Sequence, residues 1–201
     1  MISGRGAVAF LLLALVGCAS SPPRNAANLC DIFREKRDWY DDAADARDRW
    51  NSPIPVMMAI MHQESRYKSS AKPPRKYLLG VIPWFRPSDA YGYSQAKKAT
   101  WQSYQRSADR YGADRNDFDD AIDFIGWYNQ RSVQQCQIRP DDTYHLYLAY
   151  HEGHGGFNRR SFRDKQWLKD VAKRVSAQSI RYRQQLAGCE ESLQRPWWYF
   201  W

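Results

Sequence analysis

The sequence predicts a mainly α-helical single domain that carries a small irregular or β-hairpin insertion. Apolar residues recur at helical spacing through most of the chain, and one apolar segment departs from that pattern. The 201 residues and the 43% hydrophobic content suit one sizeable core. An aromatic content of 15% argues against a wholly disordered chain, and no internal repeat is visible at solenoid periods. We therefore expect one domain over residues 29–189.

The first predicted helix is amphipathic and begins at Leu29. Its apolar residues recur at spacings of 7, 4, 3 and 4, and they are Ile32, Trp39, Ala43, Ala46 and Trp50. Pro53 and Pro55 then punctuate the chain and favour the start of a second helix. This helix runs from Pro55 to about Glu64 and is short and mostly apolar.

The insertion and four further helices follow in order. Two prolines within residues 72–75 break the helical pattern, and residues 77–85 predict an irregular or hairpin-like apolar segment. Helical periodicity then returns over residues 99–108, from Phe118 behind a cap at Asn116 or Asp117, over residues 141–151, and over residues 165–186. Polar or glycine-bearing loops separate these helices, so the domain is predominantly α.

The N-terminus predicts export. Arg5 precedes an apolar run over residues 7–16, which is too short to span a bilayer comfortably and fits a secretory signal. The run ends at Leu15-Val16-Gly17-Cys18, which resembles a bacterial lipobox, so residues 1–17 are predicted as a signal peptide and Cys18 as a lipidated residue. Residues 18–28 would then form a tether, and Ala19 after the cysteine points to the outer membrane, facing the periplasm. The alternative is an ordinary secretory signal with an incidental Cys18.

The charge balance predicts an anionic partner. Thirty basic against twenty-two acidic residues give a net charge of +8, which suits nucleic acid, a membrane surface or an acidic polymer. Export removes nucleic acid from these candidates. The basic residues around the last helix suit steering towards a carboxylate-rich polymer or anionic lipid.

Three cysteines remain after Cys18, an odd number for an oxidising compartment. Cys30 opens the first helix and Cys189 follows the last, so a bridge between them would staple the chain ends together. We favour this pair. Cys136, in a predicted glutamine-rich loop over residues 134–137, remains an alternative member of the pair.

Glu64 is the first candidate for chemistry. It ends an apolar helix, where partial desolvation would raise its pKa and keep it protonated as a general acid. On its own, a glutamate at a helix end is more often a solvated surface residue.

Two later motifs change that interpretation. They are Ala90-Tyr91-Gly92-Tyr93-Ser94-Gln95-Ala96, followed by Thr100-Trp101, and Ala149-Tyr150-His151-Glu152-Gly153-His154-Gly155-Gly156. Together with Glu64-Ser65 they resemble the family 1 lytic transglycosylases of the soluble-lytic-transglycosylase type, which have a goose-type lysozyme-like fold. The resemblance covers about Val56 to Gly156.

The resemblance implies a role for each matching residue. Glu64 would be the catalytic acid and base, Ser65 would orient it or contact substrate, and Gln95 would contact a sugar. Tyr150 would hydrogen-bond near Glu64, and Tyr93 would stack on a sugar where the family has a methionine. The implied substrate is the peptidoglycan glycan strand, cleaved without water to a 1,6-anhydromuramoyl product and without a cofactor.

The departures from the family leave alternatives open. Glu152 is a candidate substrate contact and a candidate second carboxylate, which would make the chain a hydrolytic muramidase; the other interpretation is a loop-capping role. The histidines of His151-Glu152-Gly153-His154 are three apart, whereas zinc proteases need four, so we predict no metal site. His62 and His145 are expected at the core margin.

The C-terminal tail, residues 190–201, is aromatic. Five rings within residues 196–201 would make a poor solvated tail, so they are expected to dock on the domain, on an envelope protein partner or at the membrane interface. A second hypothesis follows, in which the chain is a non-catalytic lipoprotein that binds peptidoglycan or organises an envelope complex.

Overall fold

The computed structural model describes residues 21–75, 77–78, 82–83 and 88–194. The predicted signal peptide, Cys18, and the rings of residues 196–201 lie outside these residues. Within the described ranges, no helix is long and apolar enough to cross a membrane.

The domain is mainly helical, as predicted, with a small antiparallel β-hairpin in the insertion. The helices of the described residues are α1 (Leu29–Glu35), α2 (Arg37–Trp50), α3 (Ile54–Ser65), α4 (Lys98–Ser107), α5 (Phe118–Cys136), α6 (Thr143–Asn158), α7 (Gln166–Ala187) and α8 (Glu190–Leu193). The hairpin consists of β1 (Tyr77–Leu78) and β2 (Ile82–Pro83), with Leu78 opposite Ile82.

Helix α3 lies at the centre of the fold. Every residue from Ile54 to Met61 is buried, and the helix packs against α2, α5 and α7. Pro53 is its N-cap residue and Pro55 occupies the first turn, where a missing N–H costs nothing. Arg66 then adopts a left-handed conformation (φ 53°) that ends the helix. Packing on three sides therefore holds the C-terminal end of α3 in place within the core.

The first predicted helix is two helices. The chain breaks at Lys36 (φ −121°, ψ 75°), which separates α1 from α2. Helix α1 packs against the end of α7, where the Leu29 N–H donates to Gln185 Oε1 at 2.9 Å, whereas α2 packs mainly against α5. One straight helix could not reach both partners, so tertiary packing overrides a continuous apolar pattern.

Two other boundaries extend beyond the prediction. Residues 134–136 form the last turn of α5 instead of a loop, and the left-handed Gln137 (φ 55°) ends that helix. Helix α6 continues to Asn158 past a kink at Gly153 (φ 74°, ψ 156°), a conformation that glycine adopts readily. A β-carbon on Gly156 would lie 3.0 Å from Ser161 Oγ, so the small residues of this segment pack closely as a helical turn.

The two ends of the domain are joined covalently. Cys30 and Cys189, the pair favoured above, form a disulfide across 159 residues, and Cys136 is a free thiol. The start of the C-terminal tail is a short helix, α8, whose Glu190 accepts a hydrogen bond from Arg47 of α2 at 3.1 Å.

Candidate active site

Glu64 lies in the last turn of α3 and is partly exposed at the edge of the core. Burial disfavours the charged carboxylate and raises the pKa of Glu64 to about 7, while a hydrogen bond from the Tyr147 hydroxyl acts in the opposite direction. A carboxyl with this pKa exchanges a proton readily near neutral pH, as a general acid and base must.

Tyr147 is a site residue that the sequence analysis missed. It is buried in α6 and its hydroxyl donates to the Glu64 carboxyl. Burial and the neighbouring Glu64 raise the pKa of Tyr147, so the phenol stays protonated as a donor. The signal was its spacing: Tyr147 lies three residues before Tyr150, on the same face of α6.

Tyr150 lies near Glu64, but its own hydrogen bond goes elsewhere. Its hydroxyl donates to the Ser94 carbonyl at 2.6 Å, which ties α6 to the loop of residues 91–96. Burial, and then the Glu64 charge, raise the pKa of Tyr150. Tyr150 therefore lies close to Glu64, but the residue that hydrogen-bonds the Glu64 carboxyl is Tyr147, one turn earlier in α6.

The loop of residues 91–96 is shaped by Gly92 and Gln95. Gly92 has φ 76°, and a β-carbon there would lie 1.8 Å from the Arg115 carbonyl oxygen, so only glycine fits. The Gln95 side-chain nitrogen donates to the carbonyls of Ala71 and Gly92, both at 2.9 Å. Gln95 is partly exposed, and these bonds hold the loop beside the site.

Tyr93 does not reach the cleft, so its predicted stacking on a sugar is wrong. Its ring is 1% exposed and packs edge-on against Trp39 and Phe118, each with ring centroids 5.8 Å apart. Burial of this aromatic ring against the core removes apolar surface from water and so stabilises the fold more than an exposed ring would.

Ser65 is used within its own helix. Its side chain is buried, and the hydroxyl donates to the Met61 carbonyl at 3.2 Å. Neither predicted role, orienting Glu64 or contacting substrate, corresponds to this bond, which instead satisfies a carbonyl near the end of α3.

Glu152 is held by basic and hydroxyl groups. Lys165 Nζ donates to both carboxylate oxygens at 2.8 and 2.9 Å, Ser161 donates to one of them, and His151 Nδ1 lies 3.1 Å from the other. Burial acts to raise its pKa, but these hydrogen bonds prevail and lower it to about 2. The structure thus assigns Glu152 a loop-stabilising role, and its role as a substrate contact stays a prediction.

The histidines of the same motif are also engaged separately. His154 Nε2 lies 3.0 Å from Ser132 Oγ, whereas His151 faces Glu152. In the part of the chain that the structure describes, no three histidine, cysteine or acidic residues are placed to hold a metal ion.

A family model described as "Transglycosylase SLT domain" matches residues 6–189 of the chain. The chain belongs to the transglycosylase SLT family. Neither the curated proteins nor the solved structures give a match. The mainly helical architecture is that of a lysozyme-like SLT domain, as predicted. Glu64 and Tyr147 both lie within the matched part of this SLT domain.

Proposed function

We propose that this SLT domain is a peptidoglycan lytic transglycosylase in which Glu64 is the catalytic acid and base. The observation that carries the proposal is the setting of Glu64: a carboxyl with a pKa of about 7 at the end of a buried helix, held by a tyrosine hydroxyl. The substrate is the β-1,4 bond between N-acetylmuramic acid and N-acetylglucosamine.

In the first step Glu64 acts as an acid. The protonated carboxyl donates its proton to the glycosidic oxygen, and the bond between this oxygen and the muramoyl C1 breaks. The substrate's own acetamide stabilises the positive charge that develops at C1, as in other substrate-assisted glycosidases. The Tyr147 hydroxyl donates to the carboxylate that remains.

In the second step Glu64 acts as a base. The carboxylate takes the proton of the muramoyl 6-hydroxyl, whose oxygen bonds to C1 and closes a 1,6-anhydro ring. No water is consumed, and Glu64 ends the cycle protonated. One carboxyl therefore suffices.

The hydrolytic alternative needs a second carboxylate. Glu152 was its candidate, and its oxygens are already bound by Lys165 and Ser161. A general base must be free to accept a proton near neutral pH, and a carboxylate with a pKa of about 2 is a poor one. The non-hydrolytic reaction is therefore favoured.

We further propose that the chain works from the outer membrane, facing the periplasm, on a lipid attached to Cys18. The support is the sequence Leu15-Val16-Gly17-Cys18-Ala19. Replacing Cys18 by alanine is expected to release the chain from the membrane fraction. Continued pelleting of that variant with membranes would contradict lipid anchoring.

The test of the activity compares three forms of the full chain in detergent with purified sacculi. Wild-type protein and Glu64→Gln are the experiment, and Glu152→Gln is the matched control, since it makes the same chemical change at another carboxyl. Soluble muropeptides should be released by wild type and by Glu152→Gln, and not by a folded Glu64→Gln. Wild-type protein that binds sacculi without releasing products would instead indicate a binding or scaffold lipoprotein.

A further inference from the structure

A small basic pocket lies between α3 and α7. Its volume is about 220 Å³, and its polar lining consists of His62, Gln63, Arg66, Arg174, Gln178 and Arg181. Ala59 and Val175 form an apolar floor. We call this the basic pocket.

The positive charge of the basic pocket is not balanced by the described part of the chain. Arg66, Arg174 and Arg181 form no ion pair with any carboxylate of the described residues. Arg66 Nη1 lies 3.1 Å from His62 Nε2, and burial together with Arg66 and Arg181 lowers the pKa of His62 to about 4. His62 is therefore neutral near pH 7 and serves as an acceptor for Arg66. Three guanidinium groups that share a concave surface favour an anionic ligand.

Gln178 adds a buried donor. Its Oε1 accepts a hydrogen bond from Arg181, and its Nε2 is buried with no acceptor at full hydrogen-bonding distance among the described residues, although the Tyr182 hydroxyl lies close enough to interact with it. The residue is 9% exposed. Because a buried donor left unpaired is costly, the amide favours a ligand that brings an acceptor oxygen.

The basic pocket lies at the end of α3 that carries Glu64. Gln63 directly precedes Glu64 in α3. Arg174 lies near enough to Tyr147 to oppose the effects of burial and Glu64 on its pKa. The basic pocket and Glu64 therefore lie at the same end of α3, at a separation that an extended peptide of several residues spans.

We propose that the basic pocket binds a carboxylate of the peptide stem carried by the muramoyl residue being cleaved. This inference rests on the proposed function and specifies which part of the substrate the site recognises. A planar guanidinium matches a carboxylate with two parallel hydrogen bonds, and Gln178 Nε2 supplies a further donor. A small concave pocket suits a side group of a strand better than it suits a lipid surface.

Binding of the free peptide tests the basic pocket without catalysis. The probe is the mixture of stem peptides that an amidase releases from sacculi, titrated by calorimetry into the detergent-solubilised full chain. Arg174→Gln/Arg181→Gln is expected to weaken binding at least tenfold, since each charged hydrogen bond contributes strongly. Arg183→Gln is the control: the residue is exposed on the same helix and lies outside the pocket, and the substitution makes the same chemical change once instead of twice.

A second measurement does not depend on the variants folding. Stem peptides whose carboxyls are converted to methyl esters should fail to bind the wild-type chain. Esters that bind as tightly as the free acids, or equal binding by wild type and the folded double variant, would overturn the proposal. The proposal would also be overturned if the chain bound no stem peptide but bound vesicles of anionic phospholipid through Arg174 and Arg181.

Activity assays separate this proposal from the proposed function. The enzyme is assayed on peptide-bearing strands and on strands from which an amidase has removed the peptides. The ratio of the two kcat/KM values should fall at least tenfold in the double variant and remain unchanged in Arg183→Gln. Release of anhydro products by a wild-type chain that shows no such preference would contradict the role of the basic pocket and leave the proposed function intact. Peptide binding that depends on the basic pocket, by a chain that releases no product, would contradict the proposed transglycosylase activity and leave the peptide-binding role intact.

Discussion

At the scale of single residues, two opposing effects act on the Glu64 carboxyl. Burial at the end of α3 raises its pKa, and the Tyr147 hydroxyl stabilises the charged form. The balance leaves a group that is about half protonated near pH 7, which suits a residue that must give a proton and then take one. This setting costs stability whenever Glu64 is ionised.

Glu64→Gln is therefore expected to stabilise the fold at alkaline pH. The folded pKa of about 7 lies above the ordinary value of 4.5, so the proton on Glu64 favours the folded state, and this contribution is lost as pH rises through about 7. Full ionisation costs up to about 3 kcal/mol, which a neutral glutamine avoids. Urea unfolding should show Glu64→Gln more stable than wild type at about pH 8 and equal to it at about pH 4. An equal difference at both values would contradict the raised pKa.

Tyr147→Phe tests the positioning hydroxyl. Removing it deletes the hydrogen bond that lowers the pKa of Glu64, so the alkaline limb of the kcat/KM profile should move to higher pH. The turnover should fall about tenfold because the ionised intermediate loses a donor. Tyr144→Phe, a hydroxyl deletion one turn earlier on α6, is the control. A loss of rate with an unmoved pH profile would mean that Tyr147 acts only through packing.

At the scale of elements, the kinked helix α6 supports the site. Its first part carries Tyr147 and Tyr150 to Glu64, and Glu152, directly before the kink at Gly153, anchors the helix to the chain before α7. The anchor is an ion pair whose carboxylate is 5% exposed and whose lysine is 41% exposed. The pair therefore stabilises the kinked end of α6 from outside the reacting atoms.

Glu152→Gln should lower stability modestly while leaving the reaction non-hydrolytic. The pKa of Glu152 is depressed to about 2, so its contribution is present above its ordinary value of 4.5 and is lost as pH falls through about 2. Because Lys165 is partly exposed, the pair is worth about 1 kcal/mol at neutral pH. Urea unfolding near pH 7 measures the loss, and product analysis shows whether anhydro ends persist. Complete loss of products from a folded variant would restore Glu152 to the chemistry.

The helices could be predicted from the sequence because apolar spacing is a local signal, and it places α3 and α7. Glu64 at the end of an apolar run was ambiguous alone, and only its resemblance to a family, together with the motifs of residues 90–96 and 149–156, singled it out. The break at Lys36 could not be predicted, because it depends on what α1 and α2 each pack against. Tyr93 was misplaced for a similar reason: the backbone turn at Gly92 and the aromatic surface of Trp39 decide that its ring turns inward.

At the scale of the whole molecule, the disulfide and the central helix define one domain. Cys30–Cys189 closes a loop of 159 residues that contains every helix from α2 to α7. Closing a loop of this length reduces the entropy of the unfolded chain by an amount equivalent to about 5 kcal/mol.

Replacing both Cys30 and Cys189 by alanine should therefore destabilise the domain by about 5 kcal/mol. Cys136→Ala, which removes the free thiol, is the control and should cost much less. Urea unfolding under oxidising conditions measures both. A double variant as stable as wild type would show that the loop closure contributes nothing to the fold.

The most direct test of the central claim follows the oxygen of water. Sacculi are digested by the wild-type chain in heavy-oxygen water, and the released muropeptides are weighed by mass spectrometry. A transglycosylase in which Glu64 alone is acid and base gives 1,6-anhydro ends. These ends are lighter by one water than the reducing ends of a hydrolysed strand, and they carry no heavy oxygen. Reducing ends labelled with heavy oxygen would show that water attacks C1, and they would contradict the account.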